Sequence, residues 1–138
     1  MNRLNVKVQS MDACDGLTFF SFSKGTDFLH SIVIDGKEKN MGLKHGDSVI
    51  LCFKESEVFL AKDFMGNISV CNQLKATVKN IEQGHLFSKI RLDYQGEEII
   101  ALIISAALKP MNLKINDSVY CMVKANEIAI IREQGKDD

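Results

Sequence analysis

The sequence predicts an all-β fold: two tandem OB-like five-stranded small barrels, with a short helical turn in each. Two observations predict it. The chain of 138 residues matches itself at one offset, residue n against residue n + 70, without a gap. Within each copy, short runs of period-two alternation are separated by turn residues, the mark of strands with one buried face.

The offset pairs Asn2 with Asn72, Leu4 with Leu74, Val8 with Val78, Met41 with Met111, Leu43 with Leu113, Asp47 with Asp117, Val49 with Val119, Lys54 with Lys124 and Glu57 with Glu127. An insertion in either copy would break this register, so equal loop lengths imply two copies of one fold. The expected boundaries are 1–64 for the first copy and 67–133 for the second, with a linker from Lys62 to Asn67 and a frayed tail at 134–138.

Each copy opens with an alternating strand, Leu4, Val6 and Val8 in the first and Leu74, Ala76 and Val78 in the second. Turns are expected at Asp15-Gly16 and Gln83-Gly84. The second strand carries Phe20 and Phe22, or Ile90 and Leu92, and ends at Lys24-Gly25 or Gln95-Gly96. A third strand follows in the apolar runs Ile32 to Ile34 and Ile100 to Ile104. A helical or turn segment then closes on Met41 to Asp47 and on Met111 to Asp117, where Gly46 and Asn116 share a place that suits a positive φ. Val49 to Phe53 and Val119 to Val123 read as the fourth strand, and Val58 to Ala61 and Ile128 to Ile131 as the fifth. Closing such strands into a barrel removes exposed edges. A unit of this size has a thin core, so the copies are expected to pack on each other and on other chains.

Composition narrows the function. A hydrophobic content of 46% with 25% charged residues is that of a soluble globular chain. Seventeen Lys+Arg against 18 Asp+Glu give a net charge of −1 and no field to gather phosphate backbones. With no Trp and only Tyr94 and Tyr120, aromatic platforms for bases are lacking too, so direct nucleic-acid binding is not expected. No segment approaches the roughly 18 apolar residues of a membrane span, and the start of the chain has no continuous apolar h-region. The expectation is a cytoplasmic protein without membrane insertion.

Cys14, Cys52, Cys71 and Cys121 show no CxxC or Cys/His metal spacing, and Cys52 and Cys121 lie in apolar runs as small core residues. His30, His45 and His85 are scattered and read as surface or turn residues. Asp12/Glu82 and Glu57/Glu127 recur as single carboxylates at turns, which is more simply structural than catalytic. Without a phosphate loop, a paired-carboxylate site or a metal-ligand cluster, neither an enzyme nor a resident cofactor or metal is expected.

The second copy runs through Ser69-Val70-Cys71-Asn72-Gln73-Leu74, then Ile103-Ile104-Ser105, then Asn112-Leu113-Lys114-Ile115-Asn116-Asp117, then Met122-Val123-Lys124-Ala125. In this it resembles a molbindin (Mop/TOBE) domain. Such domains open with Ser-x-Arg-Asn-x-Leu, continue through an apolar strand into Thr-x-x-Ser, pass through Leu-Gly-Leu-Lys-x-Gly-Asp and finish with an apolar strand ending in Lys-Ala. The offset carries the match to Asn2-Arg3-Leu4, to Met41 through Asp47 and to Lys54. A tandem chain of this length resembles the di-molbindins, small cytoplasmic proteins that store or buffer molybdate. It also resembles the effector module of molybdate-responsive regulators.

The resemblance implies a tetrahedral dianion, molybdate or tungstate, bound between subunits of a homo-oligomer, trimer or dimer. A dianion needs several converging donors, which lysine, hydroxyls and backbone N–H groups supply. Carried over by position, those donors are Ser69, Ser105 and Lys124 with backbone groups near Cys71, Ala106 and Ala125, and in the first copy Lys54 and Ser56. The departures are informative. Cys71 stands where the family has arginine, removing a charge and up to five donors. The stretch from Ala106 to Pro110 lacks the second hydroxyl. The first copy starts at Met1, opposite Cys71, and is expected to have no counterpart of Ser69, while Asp35 takes the place of Ser105 and would repel a dianion. Two readings follow: an oxyanion-binding protein for storage, buffering or sensing, and a site-degenerate module acting through oligomerisation or partner contact in molybdate regulation or transport.

Overall fold

The computed structural model describes residues 1–34 and 42–132. The first copy forms β1 (Asn2–Cys14), β2 (Leu17–Lys24), β3 (Asp27–Ile34), β4 (Ser48–Phe53) and β5 (Phe59–Ala61). The second forms β6 (Asn72–Glu82), β7 (Phe87–Tyr94), β8 (Glu97–Ile104), β9 (Ser118–Val123) and β10 (Ala129–Arg132). Short 3₁₀ turns, Glu55–Glu57 and Ala125–Glu127, precede β5 and β10. In the second copy a helical turn, α1 (Ser105–Leu108), and a 3₁₀ turn, Lys109–Met111, follow β8. Their counterparts in the first copy, with Asp35, and the tail at 134–138 lie outside the described residues.

Alternation decides which face each strand buries. Leu4, Val6 and Val8 point inward, as do Leu74, Ala76 and Val78, with polar neighbours outward. The first half of β1 pairs with β4 and the second half with β2, and the register shifts between Val8 and Ser10. The same shift falls between Val78 and Asn80 in β6. Such a bulge bends a strand and lets it turn a barrel corner. The turn before β4 closes on that bend: Gly46 N–H donates to the Val8 carbonyl and Val8 N–H to the Asp47 carbonyl, both at 2.8 Å. Gly46 and Asn116 both adopt the expected positive φ, 90° and 75°.

The Gln83-Gly84 turn differs from its expected twin. Asp15 and Gly16 make a tight turn with φ of 53° and 79°, whereas β6 and β7 are joined by the longer segment 83–86 and Gly84 has no positive φ. Glycine is needed there for another reason, because a Cβ would collide with the Phe87 carbonyl.

The fifth strands are exchanged. One sheet runs β10-β4-β1-β2-β3 and the other β5-β9-β6-β7-β8. Ile130 of the second copy pairs with Leu51 of the first, and Leu60 of the first with Cys121 of the second. β10 then packs beside β3, and β5 beside β8, to close each barrel. Each barrel is five-stranded, as the sequence predicts, but takes four strands from one copy and its last from the other. Buried side chains of both copies accordingly form one continuous apolar cluster, from Leu4, Phe20 and Leu51 to Leu74, Ile90 and Val123.

Candidate functional site

The β6–β9 ladder ends where Asn72 pairs with Val123. One residue beyond that last pair come Cys71 and Lys124, both exposed. Lys124 is extended (φ −70°, ψ 142°) and leads into the Ala125–Glu127 turn, whose own bonds run from Glu127 N–H to the Lys124 carbonyl and from Ile128 N–H to the Ala125 carbonyl. Ala125 is half-buried and Ser69 is exposed just ahead of Cys71. The first copy repeats the geometry: Asn2 pairs with Phe53, and exposed Lys54 (φ −72°, ψ 147°) leads into the Glu55–Glu57 turn that contains exposed Ser56.

Ser105 sits elsewhere. It follows β8, where its N–H donates to the Leu86 carbonyl at 2.8 Å and its hydroxyl to the Gly84 carbonyl at 2.7 Å. The same hydroxyl is 2.8 Å from that of buried Ser88. Beside it is a cavity of about 170 Å³ whose polar lining is Gln83, Ser105, Lys109 and Asn112. Gly84 lies beyond one end of β6 and Cys71 beyond the other, so the strand, on the order of 30 Å long, separates Ser105 from Lys124. Within one chain the carried-over set therefore divides into three groups: Ser69, Cys71, Lys124 and Ala125 at one end of the β6–β9 ladder, Lys54 and Ser56 at the matching turn of the first copy, and Ser105 after β8.

Sequence reasoning missed a further set of residues, those that tie the copies together beside these groups. The Asn72 carboxamide is fully buried; its Oδ1 accepts from His30 N–H at 2.7 Å, and its Nδ2 donates to the carbonyls of His30 at 2.9 Å and Val123 at 3.1 Å. Asn2 grips the other copy in the same way, with Nδ2 donating to the Ile100 carbonyl and Oδ1 accepting from Ile100 N–H, both at 2.8 Å. His30 and Ile100 are themselves related by the offset. The signal was legible: an asparagine stands at an inward position of both alternating strands, where a polar side chain needs a partner.

Polar bridges repeat the pattern at the hairpin ends. Lys24 is bonded to Glu97, while at the offset-related place Tyr94 O–H donates to Asp27 at 2.7 Å. Burial, chiefly, and then the Asp27 carboxylate push the Tyr94 hydroxyl well above the usual tyrosine range. Burial likewise raises the Cys52 thiol and pushes Cys121 up to about 12, which fits their place in the core. Of the three histidines, His30 departs from a surface role: it is half-buried in β3, its ring stacked on Phe19 at 5.2 Å, and burial lowers its pKa. Among the described residues, no group of three His, Cys, Asp or Glu side chains gathers where it could hold a metal ion. No helix among them is long and apolar enough to cross a membrane.

Residues 68–130, nearly all of the second copy, match the TOBE domain. A probable molybdenum-pterin-binding protein of Haemophilus influenzae is 33% identical over 64 residues, which cover 46% of this chain and 93% of that protein. The chain belongs to the molbindin (TOBE-domain) family. This molbindin chain is also 32% identical over 100 residues to the molybdenum import ATP-binding protein ModC of Brucella abortus, covering 67% of the chain but only 27% of ModC. Its fold is that of the cytoplasmic molybdate-binding protein ModG in a molybdate-bound crystal, with a TM-score of 0.90 over 96% of each chain at 24% identity.

Proposed function

We propose that this molbindin chain binds a tetrahedral oxyanion, molybdate or tungstate, as a cytoplasmic storage, buffering or sensing protein rather than an enzyme. One observation carries the reading. Exposed Lys124, at the head of a turn, and exposed Cys71 each lie directly beyond the last pair of the β6–β9 ladder, within the copy that matches the TOBE domain. There the Lys124 ammonium would supply charge, Ser69 a hydroxyl, and Cys71 and Ala125 backbone N–H groups. Lys54 and Ser56 form a poorer version in the first copy.

The seat takes Ser105 from a second chain of a homo-oligomer, trimer or dimer; the position of Ser105 past the far end of β6 in its own chain supports this reading. Calorimetric titration of wild type and Lys124→Ala with molybdate, tungstate and sulfate tests this. Binding of molybdate or tungstate, weakened by the substitution, is the expected result. A wild type that shows neither heat nor thermal stabilisation with any of them refutes it, since a ligand that binds the native state must stabilise it.

A second reading, a site-degenerate module that works through oligomerisation or partner contact in molybdate regulation or transport, is favoured by two observations. Cys71 takes the family's arginine position, and the Ser105 hydroxyl already donates to Gly84. A silent titration selects it.

A further inference from the structure

The geometry points to Asn72 as a positioning residue that holds the Lys124 turn in place against the other copy. The inference rests on the oxyanion seat proposed above and adds to it a residue that touches no anion. Asn72 is fully buried, next in sequence to Cys71, and its Nδ2 donates to the Val123 carbonyl, which belongs to the peptide leading into Lys124. The same carboxamide is bonded to both the N–H and the carbonyl of His30 on β3. One side chain thus ties three stretches of backbone: its own strand, the entry to Lys124 and the third strand of the first copy. The turn Ala125–Glu127 packs on that same strand.

The first copy also holds the exit of the turn, where the Ser31 hydroxyl donates to the Ile128 carbonyl at 2.7 Å, while Asn72 is the side-chain tie at its entry. The turn's internal bonds, Glu127 N–H to the Lys124 carbonyl and Ile128 N–H to the Ala125 carbonyl, shape it but do not place it. A donor aimed at an anion must be held to a fraction of an ångström by the groups behind it. The second half of the grip therefore comes from the first copy, which makes the Lys124 seat a joint product of both repeats. Asn2 makes the matching bridge to Ile100 and pairs with Phe53 through the backbone, but among the described contacts its side chain makes no bond to the Phe53 carbonyl.

The test uses the full chain and three variants. Asn72→Ala leaves space in which water can satisfy His30 and Val123 while the tie itself is lost. Asn2→Ala removes the offset-related tie, and Tyr94→Phe removes a bond between copies remote from the Lys124 turn. Amide hydrogen exchange is read at Glu127 and Ile128, and molybdate affinity by calorimetry. Expected for Asn72→Ala is exchange at those amides about tenfold faster, and affinity about tenfold weaker, on the scale seen when a supporting partner of a ligand is removed. Asn2→Ala, which removes a bond between the copies away from the Lys124 turn, leaves exchange at Glu127 and Ile128 as in wild type. Tyr94→Phe leaves both the turn and the affinity as in wild type. Unchanged exchange at Glu127 and Ile128 in folded Asn72→Ala, or a rise equalled by Tyr94→Phe, overturns the positioning role. If Asn72→Ala does not fold, Asn72→Ser, which retains a hydroxyl donor, is read in the same way. A wild type that binds no oxyanion refutes the proposed function, and the exchange comparison still decides whether Asn72 places the turn.

Discussion

Lys62, the residue that follows β5, reaches Asp117 across the boundary between the copies, Nζ to Oδ2 3.0 Å. Its ammonium also donates to the carbonyls of Met111 and Asn112, at 3.2 and 2.9 Å. Seventy positions on, Arg132 at the end of β10 approaches Asp47 at 4.0 Å. Each exchanged strand is thus followed or ended by a cation that meets the aspartate of the other copy's turn.

Acid should weaken this contact in a defined direction. The Lys114 N–H, donating to Asp117 at 2.8 Å, and then Lys62 hold the Asp117 carboxyl below its usual pKa. A carboxyl lowered on folding stabilises the protein above its unfolded pKa, about 4, and loses that contribution as pH falls through the folded value. Thermal unfolding followed from neutral pH down through this range should show a shallower acid decline for Asp117→Asn than for wild type. Equal declines would remove Asp117 from the account.

Tyr94 acts at the other end of the pH scale. Its raised pKa means that it stays protonated in the folded chain while the unfolded tyrosine ionises near 10, so its stabilisation is full below about pH 10 and lost above it. In an alkaline spectroscopic titration, one of the two tyrosines should resist ionisation until the protein unfolds. Tyr94→Phe should abolish that delayed step and, at neutral pH, cost about 1–3 kcal/mol for a bond to a charged acceptor, measured by urea unfolding.

The repeat contains its own control for Ser31. That side chain is fully buried and its hydroxyl donates to the Ile128 carbonyl at 2.7 Å, whereas the offset-related residue is Ala101, also fully buried. The fold therefore accepts alanine at this position. Ser31→Ala should cost about 1 kcal/mol and leave the protein folded; a loss several times larger in urea would show that the two barrels close by different means.

Strand exchange predicts the behaviour of a severed chain. Met65 is 91% exposed and Gly66 adopts a φ of 111°, so a protease site inserted there should be cut without disturbing either sheet. The cut halves should still elute together in gel filtration, because β5 and β10 remain in the other half's sheet. Separation into two free halves under native conditions would contradict the topology.

Much of the fold was legible in the sequence because the offset and the alternation are local patterns. The offset places all ten strands in equivalent pairs, and Leu4, Val6 and Val8 face inward as their spacing requires. The exchange was not legible: Val58 to Ala61 and Ile128 to Ile131 present nearly the same apolar pattern at the same register, so sequence cannot say which fourth strand each joins. The Gln83-Gly84 turn misled because glycine there avoids a collision rather than supplying a positive φ. Lys124 and Cys71 were selected through the resemblance and lie beyond the same end of the β6–β9 ladder. Ser105 was selected the same way and follows β8, past the other end of β6, because a motif orders residues along the chain and does not say where the fold carries them. Asn2 and Asn72 were visible as identities, yet their partners are distant residues of the other repeat, beyond the reach of any local rule.

The linker that joins β5 to β6 gives the exchange a consequence of its own. Two separate halves that lend each other a strand would form a complex whose population falls on dilution. A short tether instead holds each half near the other at an effective concentration on the order of millimolar. Completion of both barrels is then a first-order event, indifferent to how much of the protein is present. The halves are also held at one-to-one stoichiometry while their sequences diverge, as Ser31 and Ala101, or Lys24 and Tyr94, have done.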